Sequence, residues 1–539
     1  MKFEVTFLPS GNSILVPENM TVLAAARKAG VLIESPCNGA GTCGKCRVVI
    51  GPQTVLACET QVKGNIKVEI PDTGRNREIK IIDHGKSFEI ELDRYIVKKF
   101  HPGEKITYVF AGEEIISKED GDTGNENYGI VVDIGTTTVV VCLTDIAGGK
   151  EIDTGSILNP QSPYAQDVLS RIKFAASPEG LDTMFTVLMK EINTLISSMI
   201  RANNIRRENI YEIVFSGNTT MLHLATGTDP SSLGKYPYIP VITGGNHIGS
   251  KELGLSISDF GLVYLPPVMS AYVGADITSG ILASRLYLEK GPPALFIDIG
   301  TNGEMVLSIN GSLIASSTAA GPAFEGMNIS CGMRAGSGAI EVFDISENDD
   351  ISYKTIGNSE ASGICGSGLI DIVGEFAASG IISKTGRFSD KLKAPLSGNL
   401  ESSEGKKRFK ITENVSVSQK DIRQVQLAKG AIRAGIELLL RENGVSVSDV
   451  SRVLVAGSFG FHLRPKSLIN IGLLPPEFDG KIEFLGNTSK SGGQAFLLNK
   501  KYREDMKRIV KGVKVLELAN CKNFEEIFVK ELKFELATD

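Results

Sequence analysis

Four cysteines near the start of the chain have a spacing suited to a metal or cluster site: Cys37, Cys43, Cys46 and Cys58, the first three within the loop ESPCNGAGTCGKC. An iron–sulfur cluster needs thiolates that converge on its irons and backbone N–H groups that point at its sulfurs, and the glycines of this loop allow the backbone to curl that closely. A four-cysteine zinc site is the alternative. Zinc usually takes two C-x2-C pairs, however, and only Cys43 and Cys46 form one here. We therefore predict a [2Fe-2S] centre held by all four cysteines.

Two stretches further along the chain are suited to phosphate binding. YGIVVDIGTTTVVVCLTD and ALFIDIGTNGEMVLSI each consist of an apolar strand, a tight Asp-Ile-Gly-Thr turn and a second strand. Such a turn places backbone N–H groups around a phosphate, while its aspartate, Asp133 or Asp298, faces a bound Mg2+ or the attacking water. One turn of this kind would be a weak signal, because it is also an ordinary hairpin turn. The duplication is the stronger signal, since two such hairpins face each other in an actin-like ATP clamp.

A third segment, VSRVLVAGSFGFHL, is an apolar strand that runs into a glycine-rich turn where the actin-like fold places its adenosine loop. We predict that Asp133, Asp298 and Glu304 are catalytic. The residues predicted to bind ATP and Mg2+ are those of the three turns and one glycine from a later loop: Gly135, Thr136, Thr137, Thr138, Gly300, Thr301, Asn302, Gly303, Gly321, Gly457, Ser458, Phe459 and Gly460.

Three other features admit two interpretations each. Asn218, in SGNTTMLHL, either lies near a phosphate or caps the helix that follows it, and Asp276, in YVGADITSG, either reaches a metal-bound water or caps its own helix. The segment STAAGPAFEGMNISCGMRAGSGAIE is too rich in glycine for a core and too apolar for a tether, so we expect it to line the cleft or to face a partner. His223 and His462 are interpreted as structural histidines rather than as ligands.

The elements around these motifs predict a multidomain α/β protein. KFEVTFL and SILVPE read as paired strands, Thr21 as the cap of the helix VLAAARKAG, and CRVVIG and NIKVEI as further strands, which together match a ubiquitin-like β-grasp over residues 1–78. The polar run at 117–129 predicts a flexible tether at the end of a linker over 79–127. Residues 128–290 and 291–539 are then the two RNase H-like lobes of a duplicated actin/sugar-kinase (ASKHA) ATPase.

Length and charge narrow the class of protein further. A chain of 539 residues is too long for a single core, and a net charge of -6 without a basic stripe argues against nucleic acid as a partner. The N-terminus lacks the apolar core of a signal peptide, and no apolar run approaches the roughly 18 residues that a membrane helix needs. We expect a cytoplasmic protein that does not bind a membrane.

The cysteine loop and the motifs DIGTTT, SGNTTMLHL, YVGADI, DIGTNGE, STAAGPAFEGMNI, GMRAGSGAI and VAGSFG, in that order, resemble those of the reductive activators of corrinoid proteins over nearly the whole chain. The resemblance implies ATP-dependent return of inactive Co(II) to Co(I), by one-electron transfer from the [2Fe-2S] cluster, for a methyltransferase system. It also implies a corrinoid protein and an upstream electron donor as partners, and it is compatible with a homodimer.

Two other functions share the actin-like ATPase. Activators of radical dehydratases or ring reductases are one such class, and they are shorter chains with a [4Fe-4S] cluster between two subunits. A small-molecule kinase of the same fold would use the ferredoxin domain as a redox sensor. Stimulation of ATP hydrolysis by a Co(II) corrinoid protein, as opposed to phosphorylation of a small acceptor, separates an activator from a kinase.

Overall fold

The computed structural model describes residues 2–33, 35, 39, 41, 44–71, 90–403, 405–457 and 463–534. Its first unit is a five-stranded sheet with one helix, whose elements are β1 Lys2–Leu8, β2 Ser13–Pro17, α1 Val22–Lys28, β3 Arg47–Ile50, β4 Gln53–Leu56 and β5 Ile66–Glu69. The strand order is β2-β1-β5-β3-β4, with β1 and β5 parallel, which is the β-grasp arrangement. Thr21 caps α1 by accepting a hydrogen bond from the backbone N–H of Ala24, as predicted.

The interval before the first lobe contains a three-stranded antiparallel sheet of β6 Ile96–His101, β7 Ile106–Ala111 and β8 Glu114–Asp120. Its apolar face packs on Tyr211 of the first lobe, and the Tyr211 hydroxyl donates a hydrogen bond of 2.5 Å to Glu119. Beyond β8, the side chain of Asn127 donates to the carbonyl oxygen of Ile96. The prediction of a flexible tether over 117–129 is therefore wrong. An edge strand such as β8 buries one face only, so its sequence is polar enough to look like a linker.

The first lobe is built on a six-stranded sheet. Its elements are β9 Tyr128–Ile134, β10 Thr138–Asp145, β11 Lys150–Leu158, α2 Val168–Phe174, α3 Pro178–Ala202, β12 Ile210–Gly217, α4 Thr219–Ala225, β13 Asn246–Gly249, β14 Leu262–Leu265 and α5 Ala275–Ser284. The strand order is β11-β10-β9-β12-β14-β13; β9, β10 and β11 are antiparallel, and β12 runs parallel to β9 and β14. The long helix α3 covers one face of this sheet through Leu188 and Ile192.

The second lobe repeats this plan with insertions. Its elements are β15 Ala294–Ile299, β16 Gly303–Ile309, β17 Ser312–Thr318, β18 Ala339–Ile345, β19 Ile351–Thr355, β20 Gly363–Ile364, α6 Gly366–Ala378, β21 Leu400–Ser403, β22 Lys406–Lys410, β23 Ser416–Ser418, α7 Gln419–Arg441, β24 Arg452–Ala456, α8 Pro465–Asn470, β25 Ile482–Gly486, α9 Thr488–Leu498, α10 Lys501–Gly512, β26 Lys514–Val515 and α11 Phe524–Glu531. Its main sheet has the order β25-β24-β15-β16-β17-β26, and β18–β20 and β21–β23 form two small sheets.

Two helices lie between the main sheets and join the lobes. A single core cluster includes Val131 of the first sheet, Phe296 of the second, Ile281 of α5 and Phe496 of α9. The helices α5 and α9 cross so closely that a Cβ on Gly492 would lie 2.0 Å from the carbonyl oxygen of Ser279. The predicted fold class, a β-grasp ferredoxin domain followed by a duplicated RNase H-like ATPase, is confirmed.

In the described parts of the chain, no helix is both long enough and apolar enough to cross a bilayer.

Candidate nucleotide and cluster sites

The first phosphate hairpin, between β9 and β10, is braced from behind by side chains of its own lobe. The side-chain amide of Asn159 donates to the carbonyl oxygen of Gly135 at 2.7 Å, and its backbone N–H donates to that of Thr137 at 2.9 Å. The guanidinium of Arg171 donates to the carbonyl oxygen of Thr136 at 2.6 Å. These bonds hold the turn's carbonyl oxygens, and the N–H of Gly135 donates within the turn to the carbonyl oxygen of Thr138 at 2.9 Å, so the predicted phosphate contacts fall to the other N–H groups of the turn.

Arg171 is fully buried, and burial lowers the pKa of its guanidinium to about 9, although the negative charges of Asp167 and Glu325 act in the opposite direction. Its remaining N–H groups donate to the Gln161 side chain at 3.0 Å and to the carbonyl oxygen of Ala165 at 3.1 Å. A buried guanidinium that donates hydrogen bonds both to the turn and to residues behind it holds the turn in one shape. This residue was not predicted, since a lone arginine in the short helix α2 gives no sequence signal.

The second hairpin, between β15 and β16, is held by the loop that follows β17. Within the turn, the backbone N–H of Gly300 donates to the carbonyl oxygen of Asn302 at 2.9 Å. From the following loop, the backbone N–H of Gly321 donates to the carbonyl oxygen of Thr301, also at 2.9 Å. Gly321 has a φ of +79°, so its place beside the turn suits a glycine. Gly303 packs on α7, where an added Cβ would lie 2.7 Å from Ile432.

Glu325 bridges the two hairpins. Its carboxylate accepts a hydrogen bond from the hydroxyl of Thr301 at 2.6 Å and another from the hydroxyl of Thr137 in the opposite lobe. It lies in the glycine-rich segment that we expected to line the cleft or to face a partner, but no motif in that segment singles it out. A carboxylate therefore occupies the space between the two predicted phosphate turns.

Asp133, at the end of β9, is paired across the lobes. Its two carboxylate oxygens accept hydrogen bonds of 2.7 Å from the side chains of Asn487 and Ser489, at the start of α9. Burial raises the pKa of Asp133, while these two bonds and the charge of Lys490 act to lower it. The buried ammonium of Lys490 is itself paired with Glu151 at 3.0 Å.

Asp298, Asp276 and Glu304 form a cluster of carboxyl groups with Asp133. Burial raises the pKa of Asp298 to about 7, helped by the negative charges of Asp276 and Asp133. The pKa of Asp276 is likewise raised to about 7, by burial and by the charge of Asp133, and that of Glu304 is raised well above its usual value by burial and by Asp276 and Asp298. The structure thus brings the three predicted catalytic residues together; their catalytic roles stay predictions.

The capping alternative for Asn218 is confirmed, and its position near a phosphate stays a prediction. Its side chain caps α4 by accepting from the N–H of Met221 at 3.0 Å, and it also donates to the hydroxyl of Thr136 in the first hairpin at 3.1 Å. For Asp276, the capping alternative is wrong, because α5 begins at Ala275 and its capping residue is Gly274. His223 is buried and hydrogen-bonded on both ring nitrogens, as a structural histidine should be. His462 lies outside the described residues.

The predicted adenosine loop is described at its first residue only. Gly457 follows β24 with a φ of +125°, and a Cβ there would lie 2.4 Å from the carbonyl oxygen of Ile299 and 3.5 Å from the carboxylate of Asp298. The loop therefore starts against the second hairpin, and only glycine fits there. Ser458, Phe459 and Gly460 lie outside the described residues.

Two of the four predicted cluster ligands are described, and they converge. The sulfurs of Cys46 and Cys58 are 3.3 Å apart, Cys46 being buried and Cys58 partly buried. Burial and the neighbouring Cys46 raise the pKa of the Cys58 thiol to about 11, while a hydrogen bond from the backbone N–H of Gly41 acts to lower it. Sulfurs this close, with an N–H aimed at one of them, fit a cluster. Cys37 and Cys43 lie outside the described residues.

Two facing RNase H-like lobes, joined to a β-grasp domain with a cysteine loop, define an ASKHA protein coupled to a ferredoxin-like domain. The chain is 30% identical to the corrinoid activation enzyme RamQ of Eubacterium limosum, over 96% of this chain and 97% of the relative. It belongs to the family of reductive activators of corrinoid proteins.

Further matches agree with this assignment. Residues 5–66 match the 2Fe-2S iron-sulfur cluster binding domain, 128–289 the RACo middle region, and 292–538 the C-terminal ASKHA domain of RACo. A Co(II) methylated amine-specific corrinoid protein reductase of Methanosarcina barkeri is 26% identical, over 76% of this chain and 77% of the relative. The solved structure of a reductive activator for corrinoid, iron-sulfur protein superposes with a TM-score of 0.76 at 30% identity, covering 99% of this chain and 98% of that one.

Proposed function

We propose that this protein returns a corrinoid protein from inactive Co(II) to Co(I), with ATP hydrolysis driving a one-electron transfer from a [2Fe-2S] cluster. The substrate is the Co(II) form that arises when the nucleophilic Co(I) of a methyltransferase system loses an electron. Returning that electron is uphill from ordinary donors, and each 59 mV changes a one-electron equilibrium about tenfold. The names of the two curated relatives and of the superposed structure support this choice of substrate.

The observation that carries the proposal is the cluster of carboxyl groups between the lobes. Asp133 and Asp298 end equivalent strands of the two sheets, and each charge raises the pKa values of its neighbours. Among the described residues no three of these groups are placed to hold a metal ion by themselves, so in this proposal Mg2+ enters the cleft bound to the phosphates of ATP, with one or two of the carboxylates beside it. Hydrolysis of the bound ATP, which transfers its terminal phosphoryl group to water, supplies the free energy for the electron transfer.

The residues around this cluster have distinct proposed roles. The turns Gly135–Thr138 and Gly300–Gly303 hold the phosphates through backbone N–H groups other than those of Gly135 and Gly300, which donate within their own turns. Arg171 and Asn159 keep the first of these turns in shape. Asp133 and Asp298 orient the metal ion or the attacking water, with Glu304 beside them. The loop from Gly457 to Gly460 holds the adenosine.

The cysteine loop supplies the second half of the proposal. Cys46 and Cys58 already converge, and Cys37 and Cys43 would complete a set of four thiolates. A [2Fe-2S] centre carries single electrons, as the reduction of Co(II) requires. We expect anaerobically purified protein to contain iron and sulfide in equal amounts, about two of each per chain. Zinc in place of iron, in protein made with ample iron, would contradict this.

The proposal is tested by mixing the purified protein, a chemical reductant, Mg2+-ATP and candidate Co(II) corrinoid proteins while following the Co(I) absorption band. We expect Co(I) to form with ATP and not with a non-hydrolysable analogue. The variant Cys58→Ala should bind ATP normally but form no Co(I). The variant Asp298→Asn should keep the cluster spectrum and also form no Co(I).

A second measurement separates an activator from a kinase. ATP hydrolysis by the protein alone should be slow, rise when a Co(II) corrinoid protein is added, and fall again once the cobalt is methylated. Indifference to every corrinoid protein, together with phosphorylation of a small acceptor, would favour the kinase. The methyltransferase system, the upstream electron donor and a homodimer are further parts of the proposal, to be tested with candidate donors and by measuring the mass in solution.

A further inference from the structure

The ferredoxin-like domain contacts both ATPase lobes. On the second lobe, the ammonium of Lys45, inside the cysteine loop, donates hydrogen bonds to the backbone carbonyl oxygens of Ile329 and Ser330, the latter at 2.9 Å. On the first lobe, the backbone of Gly30 packs against Tyr164, where an added Cβ would lie 3.1 Å from the hydroxyl oxygen. Both contacts hold together only when the lobes have this particular separation.

Each contact is made on a segment that also holds a phosphate hairpin. Along the chain, Tyr164 follows Asn159, which bonds to the first hairpin, and it directly precedes Ala165, whose carbonyl oxygen accepts a hydrogen bond from Arg171. Ile329 and Ser330 follow Glu325 in a tightly folded loop, where a Cβ on Gly326 would lie 2.4 Å from the carbonyl oxygen of Met333. Changes at either hairpin therefore have a short path to the ferredoxin-like domain.

Glu325 is the residue through which nucleotide would act on this arrangement. Its carboxylate accepts from Thr137 and Thr301, the hydroxyls that flank the proposed phosphate position, so it links the first lobe to the second. A phosphate has the same sign of charge and uses the same donors. It must therefore displace the carboxylate, and the link between the lobes is then lost.

We propose that the ferredoxin-like domain is docked across both lobes in the nucleotide-free protein, and that nucleotide phosphate releases it by displacing Glu325. This inference rests on the proposed function, because it requires nucleotide to bind between the hairpins. Lys45, at the described end of the cysteine loop, positions the ferredoxin-like domain on the second lobe, and Glu325 makes that position sensitive to nucleotide. Docking and nucleotide binding are then antagonistic, so each weakens the other by the same factor.

The test uses the full-length, cluster-containing protein and the analogue AMPPNP with Mg2+. Amide hydrogen exchange is measured in peptides covering 44–50 and 327–333, and AMPPNP affinity by calorimetry. In the wild-type protein we expect AMPPNP to speed exchange in both peptides about fivefold or more. Equal exchange with and without bound AMPPNP would overturn the inference and leave the proposed function intact. Failure to bind AMPPNP at all would instead contradict the proposed function.

Two variants separate docking from the response to nucleotide. Lys45→Met should show fast exchange without nucleotide and bind AMPPNP about fivefold more tightly, whereas Lys63→Met, on the same domain at an exposed position, should match the wild type. Glu325→Gln keeps the hydrogen-bond acceptor without the charge. This variant should bind AMPPNP more tightly than the wild type, and AMPPNP should hardly change its hydrogen exchange in the two peptides. Equal affinities for Lys45→Met and Lys63→Met, or a wild-type response of Glu325→Gln, would overturn the inference.

Discussion

The two phosphate hairpins have the same backbone plan but are held in place by different means. The first is fixed from within its own lobe by a buried guanidinium and a side-chain amide, Arg171 and Asn159. The second is held by the loop that contains Gly321 and Glu325, and this loop also reaches the other lobe and the cysteine loop. Duplication has thus kept the geometry of the turn and changed its support. The carbonyl oxygens of the first turn are held inside one lobe, whereas the second turn is held by a loop that also contacts the other lobe and Lys45.

Removing either aspartate should have the largest effect, because the proposed function needs both carboxylates to orient the nucleotide-bound metal ion or the attacking water. We expect Asp133→Asn and Asp298→Asn each to slow ATP hydrolysis about 10²- to 10³-fold, measured by phosphate release. The visible spectrum of the cluster serves as the control and should not change. Wild-type rates in both variants would show that the duplicated hairpins do not form one site.

Replacing the brace of the first hairpin should have the next largest effect. Arg171→Met leaves the carbonyl oxygen of Thr136 and its other buried partners without their donor, so we expect the free energy of unfolding to fall by about 2–4 kcal/mol. Nucleotide affinity should fall as well, since the turn loses its shape. Urea denaturation and calorimetry measure the two quantities. Arg285→Met, at an exposed position of the same lobe, is the matched control.

The aspartates should differ in their effect on stability. The pKa of Asp298 is raised to about 7 from an unfolded value near 4, so the folded protein binds the extra proton between these pH values, and stability falls as pH rises through that window. Asp298→Asn removes this loss, and we expect it to stabilise the nucleotide-free protein at pH 8 by about 1–2 kcal/mol, and very little at pH 4. Asp133→Asn should stabilise less, because Asn487 and Ser489 already bond to its carboxylate. Melting curves at the two pH values test the difference.

The smallest expected effect concerns the threonine hydroxyls that bond to Glu325. Thr137→Val and Thr301→Val each remove one charge-assisted hydrogen bond at a partly exposed site, so we expect a stability loss of about 0.5–1.5 kcal/mol without nucleotide. Because Thr137 belongs to the other lobe, its loss should speed hydrogen exchange at 327–333, whereas the loss of Thr301, in the same lobe as Glu325, should not. The same exchange for both variants would remove the distinction between a link within a lobe and a link across lobes.

The sequence predicted local geometry well where one short stretch determines it. The hairpins, the helix capped by Thr21 and the strands of the β-grasp all follow from apolar alternation and from the turn or capping residue beside it. The edge strand β8 was mistaken for a tether because a strand that is half exposed needs few apolar residues. The capping role considered for Asp276 was wrong because α5 begins one residue before it.

The parts of the site that could not be predicted are long-range contacts. Asn487 and Ser489 meet Asp133 only because α9 enters the space between the sheets. Arg171 and Glu325 are common residue types in stretches without a motif, and their importance comes from what folding places beside them. Single-sequence patterns report neighbours a few residues apart along the chain, so pairs separated by tens or hundreds of residues leave no trace in them.

The position of α9 has a consequence for the synthesis of the protein. This helix comes after β25 in the chain, yet Gly493 and Leu497 pack against Val131 and Gly129 of the first sheet, and Ser489 bonds to Ser216. The first lobe therefore emerges from the ribosome with this face of its sheet covered only in part, by α5. At translation speeds of about 5–20 residues per second, the roughly 200 residues that separate the end of this lobe from α9 take about 10–40 s to appear. During that interval Val131 and Gly129 still lack the helix that covers them in the folded protein.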